Sequence, residues 1–251
     1  GMHKLKPLPE EWLGLLNNEQ QEAIANINGP LLIIAGAGSG KTRVLTYRYA
    51  HLIKTYGINF ENVLAITFTN KAANEMKDRI SDLLNLELSP KWISTFHSLC
   101  VKMLRIHGHL IGFNNNFTIY DQSDSTKLVR NCMRDSDIDT KQYSPKRIQA
   151  HISSLKNQRI LPGEAVEFAQ SFFDVKVAEI YSSYQKKLML ANSMDFDDLL
   201  IKAVELLETS DKSLNYWSSK FQYIMIDEYQ DTNMVQYRLV ELLASKHKNI
   251  C

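Results

Sequence analysis

Residues 35–42 read Ala-Gly-Ala-Gly-Ser-Gly-Lys-Thr, between the apolar run Leu31–Ile34 and a helical-period segment, Arg43 to Leu52. A strand, a glycine-rich turn and a helix in this order fit the phosphate-loop pattern, with Ala35 in place of the first glycine. Glycines let the backbone curl close to an anion, and Ala35 is small enough for its position. The N–H groups of Gly36, Ala37, Gly38, Ser39 and Gly40 would face the phosphates, aided by the positive end of the following helix. Lys41 would reach the β- and γ-phosphates as a point charge, and Thr42 would offer its hydroxyl to Mg²⁺. A plain glycine-rich turn explains the spacing less well, because strand, loop and helix all agree.

Far along the chain, Ile224-Met225-Ile226 runs into Asp227 and Glu228. Adjacent carboxylates at a strand end suit a division of labour. Asp227 would hold Mg²⁺, and Glu228 would accept a proton from an attacking water. Alone the pair could be a solvated turn. With the phosphate loop upstream, it points to nucleoside triphosphate hydrolysis.

The elements needed to bring these groups together are legible. Asn17 can cap a helix whose apolar face is Ala23, Ile24 and Ile27. Val63–Phe68 reads as a buried strand, followed by a helix from about Asn70. Residues 91–100 read as a strand running into a helix, 222–231 as a further strand, and Met234–Ala244 as a helix. Lys248–Cys251 reads as the opening of another strand. Alternating strands and helices predict a parallel, doubly wound α/β sheet. From about Phe113 to Asn192 the periodicity is mostly helical, with only Phe117–Asp121 resembling a strand. That stretch reads as a helical insertion with its own core.

The 251 residues are 44% hydrophobic and 23% charged, an ordinary globular composition. A net charge of +1 gives no global field for nucleic acid, so any basic surface must be local. No window approaches 18 consecutive apolar residues and no signal peptide opens the chain, so a cytoplasmic location and no membrane partner are expected. The three cysteines (Cys100, Cys132, Cys251) lack metal spacing and read as reduced thiols. Gly1 before Met2 reads as a residue left by tag removal.

Six motifs in order make the chain resemble UvrD/Rep-type superfamily 1 DNA helicases over nearly its whole length: "LNNEQQEAI", "AGAGSGKTRVL", "ITFTNKAANEMKDRI", "STFHSL", the pair "SPKRIQAHISSLKN" and "NSMDFDDLL", and "IDEYQDTN". The resemblance implies a P-loop NTPase (RecA-like) motor subdomain over 2–112 and 196–251, and an all-helical insertion subdomain over 113–195. It makes Gln20 an adenine contact and sets Arg43 near the nucleotide. It adds Gln230 to Lys41, Asp227 and Glu228 as catalytic. It implies ATP and Mg²⁺ as ligands, with single-stranded DNA and its junctions with duplex as partners. Thr67, Phe68, Thr69, Asn70, Lys71, Thr95, Phe96, His97, Lys146 and Lys156 are the implied DNA contacts.

The residues themselves leave the DNA reading open. Thr67–Asn70 and His97 sit at strand ends, where ligands bind in such sheets, and hydroxyls and rings suit phosphates and bases. The same rings could be core and the same polar groups helix caps. Residues 141–160 carry Lys141, Lys146, Arg147, Lys156 and Arg159 and no acid within 141–160. That could follow a phosphate backbone or form a solvated helix face. Asp195, Asp197 and Asp198 read as a helix cap, with Phe196 and Leu199 packing inward, rather than as a metal site.

Such helicases also have a second motor domain with arginine fingers, and no residue here matches its motifs. The expectation is an N-terminal fragment that binds Mg·ATP and DNA weakly, hydrolyses slowly and cannot unwind. The helicase part of a recombination helicase–nuclease is the nearest alternative. A DNA-gripping module without unwinding is a second. A small-molecule kinase is disfavoured, because it leaves "TFTNKAANEM" unexplained.

Overall fold

The computed structural model describes residues 5–26, 39–87, 89–227 and 233–250, with the side chains of 39–41 left out. In chain order the elements are α1 (Glu10–Leu13), α2 (Asn18–Ala25), α3 (Ser39–Lys54), β1 (Val63–Thr67), α4 (Asn70–Leu84), β2 (Ile93–Thr95), α5 (Phe96–His107), β3 (Thr118–Tyr120), α6 (Gln122–Asp135), α7 (Pro145–Asn157), α8 (Phe172–Leu190), β4 (Ser193–Asp195), α9 (Phe196–Thr209), α10 (Asp211–Lys220), β5 (Tyr223–Ile226) and α11 (Met234–Leu243). The expected strand Leu31–Ile34 lies outside the described residues.

The chain forms two compact units. The first comprises 1–99, 210–232 and 240–251, the second 100–209 and 233–239. This division differs from sequence boundaries at 112/113 and 195/196. Helix α9 packs on α7 and β4, so by contact it belongs with the helical unit.

In the first unit β1 lies between β2 and β5, and both pairings are parallel. Every residue of the three strands is buried, which is why they read as continuous apolar runs rather than alternating ones. Strand β1 ends at Thr67, one residue short of the expected Phe68, because the chain turns there into α4, which Thr69 caps by accepting the Ala72 N–H. Ile250 forms a parallel bridge to Ile224, where a further strand was expected. Leu45, Tyr49 and Leu52 of α3 and Met76 and Ile80 of α4 join Val63, Ala65, Ile93, Tyr223 and Met225 in one core.

The N-terminal segment lies on α3. Leu8, Trp12, Leu16 and Ile24 pack with Val44 and Ala50. Asn17 and Gln20 close a capping box at the start of α2. Trp12 meets Tyr47 and His51 edge-on, at centroid distances of 5.1 and 6.1 Å. His51 is fully buried, with Nδ1 2.8 Å from the Thr55 hydroxyl. Burial pulls its pKa down to about 4. A backbone hydrogen bond at Lys6 opposes the shift, and the positive charge of Arg48 adds to it.

In the second unit α6, α7 and α8 share a core of Val129, Cys132, Ile148, Ile152, Ile180, Tyr184 and Leu188, among others. Strands β3 and β4 pair in parallel. The three residues of β4 carry no alternation that sequence could register. At its end, Asp195 and Asp198 cap α9 reciprocally: the Asp198 N–H donates to Asp195 Oδ1 (2.8 Å), and the Asp195 N–H donates to Asp198 Oδ2 (3.2 Å). Leu199 packs inward as expected, whereas Phe196 is 45% exposed.

Lys156 requires a correction. Its side chain is 2% exposed, and its ammonium donates to Asp195 Oδ2 (2.7 Å) and Asp198 Oδ1 (3.0 Å). The Tyr184 hydroxyl also donates to Asp195 Oδ2 (2.7 Å), and Gln185 donates to Asp198 Oδ1 (3.2 Å). Burial by itself would lower the ammonium's pKa; the two carboxylates outweigh it and hold Lys156 above its usual range. Burial raises Asp198, while Lys156 draws Asp195 down despite its burial. This lysine is a structural cation of the helical core, not a phosphate contact.

Two outcomes follow. Lys156→Ala strands two buried carboxylates and should destabilise by about 3–5 kcal/mol in urea titration. Lys156→Met with Asp195→Asn and Asp198→Asn should recover most of that loss. Second, His51 binds fewer protons folded than unfolded between about pH 4 and 6.5. Stability should therefore fall as pH drops through that window, by up to about 1.4 kcal/mol per pH unit. His51→Phe should flatten that slope in urea titrations at pH 7, 5.5 and 4.5; an unchanged slope would remove His51 from the account.

Candidate functional site

Parallel strands end at one edge of their sheet, and that edge gathers most of the residues singled out by sequence. Thr67 ends β1, Thr95 ends β2 and Asp227 follows β5. The Asp227 N–H donates to the Ile66 carbonyl (2.9 Å), so the ladder with β1 extends one residue and fixes its backbone. Thr42, in the first turn of α3, is half-buried, and its hydroxyl lies 3.4 Å from Asp227 Oδ2. The two residues are 185 positions apart in sequence. A hydroxyl and a largely buried carboxylate side by side are hard oxygen donors. They fit Mg²⁺, which takes one or two protein oxygens and fills its shell with water and phosphate.

Lys41 and its neighbours Ser39 and Gly40 lie in the first turn of α3, which starts at Ser39, four residues ahead of the expected Arg43. Ala35, Gly36, Ala37, Gly38, Glu228 and Gln230 lie outside the described residues.

A cavity of about 500 Å³ lies between α2, α3 and α4. Gln20 lines it from α2, Arg43, Thr46 and Tyr47 from α3, and Arg79, Asp82 and Leu83 from α4. The volume is in the range of small-molecule sites. Gln20 Oε1 accepts the Asn17 N–H (3.0 Å), which sets the side-chain rotamer. Arg43 donates to the Leu15 carbonyl (2.6 Å), and its guanidinium stands 5.7 Å from the Tyr47 ring. The cavity therefore has an aromatic wall, two guanidinium groups, a carboxylate and a primary amide.

The remaining sequence-predicted contacts divide by exposure. Thr67 is 1% exposed, and its hydroxyl donates to the Thr69 carbonyl (3.0 Å). The Thr95 hydroxyl donates to Ser98 Oγ (3.0 Å) and accepts the Ser98 N–H (3.2 Å), capping α5. Phe96 is 2% exposed and meets Phe68 edge-on at 5.7 Å. Its stacking role needs correcting, because a ring so enclosed has no free face and Phe96 is core. Thr69, Asn70 and Lys71 are exposed, and Phe68 and His97 are half-buried. In the helical unit Lys146 is exposed on the first turn of α7. Arg147 lies over the Phe173 ring and Arg159 pairs with Glu208, so the basic run is not one phosphate-facing stripe.

Residues 16–251 match a family model described as the UvrD/REP helicase N-terminal domain. The chain belongs to this family. Over 239 residues it is 47% identical to the ATP-dependent DNA helicase PcrA of Staphylococcus aureus (strain Mu50), covering 95% of this chain and 33% of that protein. PcrA of Staphylococcus epidermidis (strain RP62A) is also 47% identical, over 236 residues, 94% of this chain and 32% of its own length. This UvrD/REP domain thus spans about a third of the length of the curated relatives it matches. No helix among the described residues is long and apolar enough to cross a membrane.

Sequence reasoning missed Tyr47, Arg79 and Asp82. Tyr47 was within reach, four residues after Arg43 and so on one helix face. Arg79 and Asp82 carry no local signal; only the packing of α4 on α3 brings them to the cavity. The burial of Phe96 is testable: Phe96→Ala should lower stability by about 3–5 kcal/mol. Lys71→Ala, on the exposed surface, should stay within about 0.5 kcal/mol. Equal, small effects in urea titration would return Phe96 to the surface.

Proposed function

We propose that this chain is the ATP-binding N-terminal part of an ATP-dependent single-stranded-DNA translocase and helicase. The observation that supports it most is Thr42 beside Asp227. A phosphate-loop threonine and a strand-end carboxylate, far apart in sequence, meet at the carboxyl edge of a parallel sheet. The family match and the activity named for the Staphylococcus relatives, ATP-dependent DNA helicase, support this reading.

In this reading the first unit is a RecA-like motor subdomain and the second is the helical insertion. The loop 35–40 holds the phosphates of ATP, Lys41 neutralises the β- and γ-oxygens, and Thr42 and Asp227 hold Mg²⁺. The metal, when bound, supplies charge neutralisation on those same oxygens. Glu228 takes a proton from the attacking water, and Gln230 orients the water beside the γ-phosphate. Gln20 reads the adenine from the cavity, with Arg43 and Tyr47 against the base and ribose. Thr69, Asn70 and Lys71 present a hydroxyl, an amide and a cation to the DNA backbone. Phe68 and His97 lie deeper at the same edge, and Lys146 serves duplex near a junction. A second motor domain, as a chain three times this length could hold, would add the arginine finger that such sites use.

ATP hydrolysis by this chain with Mg²⁺, with and without single-stranded DNA, tests the reading. Expected is Mg²⁺-dependent ATP binding that Lys41→Ala abolishes and Asp227→Asn weakens. Turnover should be on the order of 10³–10⁵ below a site completed by an arginine finger. Turnover at about 10 s⁻¹ without DNA would refute the half-site. Failure to bind ATP at all would refute the nucleotide reading.

A further inference from the structure

We infer that Arg48 is a positioning residue for base recognition: it holds the helix carrying Gln20 in register with the helix carrying Thr42. The inference rests on the reading of Gln20 as the adenine contact proposed above.

Arg48 is 2% exposed and is among the largest fully enclosed side chains of the chain. A guanidinium so deep needs acceptors, because an unpaired buried charge is strongly unfavourable. Its Nη1 donates to the Ala23 carbonyl at 2.8 Å. Ala23 is in the last turn of α2, where helices leave carbonyls without an intrahelical donor and where a cation is favoured. Five residues earlier on α3, Arg43 donates to the carbonyl of Leu15, two residues before the Asn17 cap. Two arginines of one helix therefore hold the segment at Leu15, ahead of α2, and at Ala23, in its last turn, with Gln20 between them.

Apolar packing already docks this segment, through Ile24 against Val44 and Ala50. That attraction is proportional to area and has no direction, so it permits sliding along α3. A hydrogen bond is directional and fixes register. Register matters here because Gln20 and Arg43 line one cavity from different helices, and a misplacement of about 1 Å is enough to spoil a polar contact. Arg43 is itself a cavity wall. Arg48 is not among the lining residues, so it can be changed without removing a group from the site.

The test compares binding of Mg·ATP and of magnesium tripolyphosphate, which has the phosphates but no base, to this chain by calorimetric titration. In Arg48→Met, ATP affinity should fall about tenfold, the worth of one charge-assisted hydrogen bond. Tripolyphosphate affinity should stay within about twofold, and Arg48→Lys should recover part of the ATP loss. A thermal melt accompanies each variant. If Arg48→Met does not fold, Arg48→Lys carries the comparison, with a smaller loss confined to ATP. An unchanged ratio of the two affinities, or an equal loss of both, overturns the inference. Wild-type protein that binds tripolyphosphate and ATP equally overturns the assignment of Gln20 instead, and wild-type protein that binds neither overturns the nucleotide reading itself.

Discussion

Parallel pairing of β1 with both β2 and β5 is the constraint from which the candidate site follows. Parallel strands must all run out at the same edge, so three segments distant in sequence deliver their next residues to one place. The Asp227 N–H bonded to Ile66 continues that ladder past β5, and the Asp227 carboxylate lies opposite Thr42. The apolar strands are buried on both faces and supply cohesion. The polar residues just beyond them, where pairing stops, supply chemistry. The same geometry explains why Thr67 and Thr95 face inward as caps and anchors while Thr69, Asn70 and Lys71 reach solvent.

Each unit also encloses a cation, and the two cases differ in kind. Lys156 sits among carboxylates in a closed network of Asp195, Asp198, Tyr184 and Gln185. That network ties α7 and α8 to the start of α9, and its role is internal to the helical core. Arg48 instead donates to the Ala23 carbonyl near a helix end, where the partial charge is small and directional. The first arrangement joins elements of a core. The second sets the position of one helix against another across the candidate nucleotide cavity.

Sequence and structure part company mainly at short or long-range features. The caps of α2, α4 and α9 are legible because a cap is a contact between residues three apart. Strands β1 and β5 are legible because buried parallel strands are apolar runs bounded by polar turns. Strand β4 is three residues long and has no pattern of its own; it exists only because β3 is beside it. Phe196 breaks the expected inward packing: as the first residue of α9 it is 45% exposed, although Leu199 and Leu200, on the same helix face one turn later, are buried.

The basic run 141–160 is the clearest case of what composition cannot decide. Five cations without an acid look alike in sequence, yet Lys156 is sealed among carboxylates, Arg159 pairs with Glu208, Arg147 covers a ring and Lys146 meets solvent. By itself the sequence determined the buried strands β1 and β5, the helix caps and the phosphate-loop spacing, because each is a pattern over a few neighbouring residues. Only the tertiary structure decided which charges are buried, that Phe96 is core and that Tyr47, Arg79 and Asp82 share a cavity with Gln20. Burial and long-range contact depend on where distant segments pack, and no local period records that.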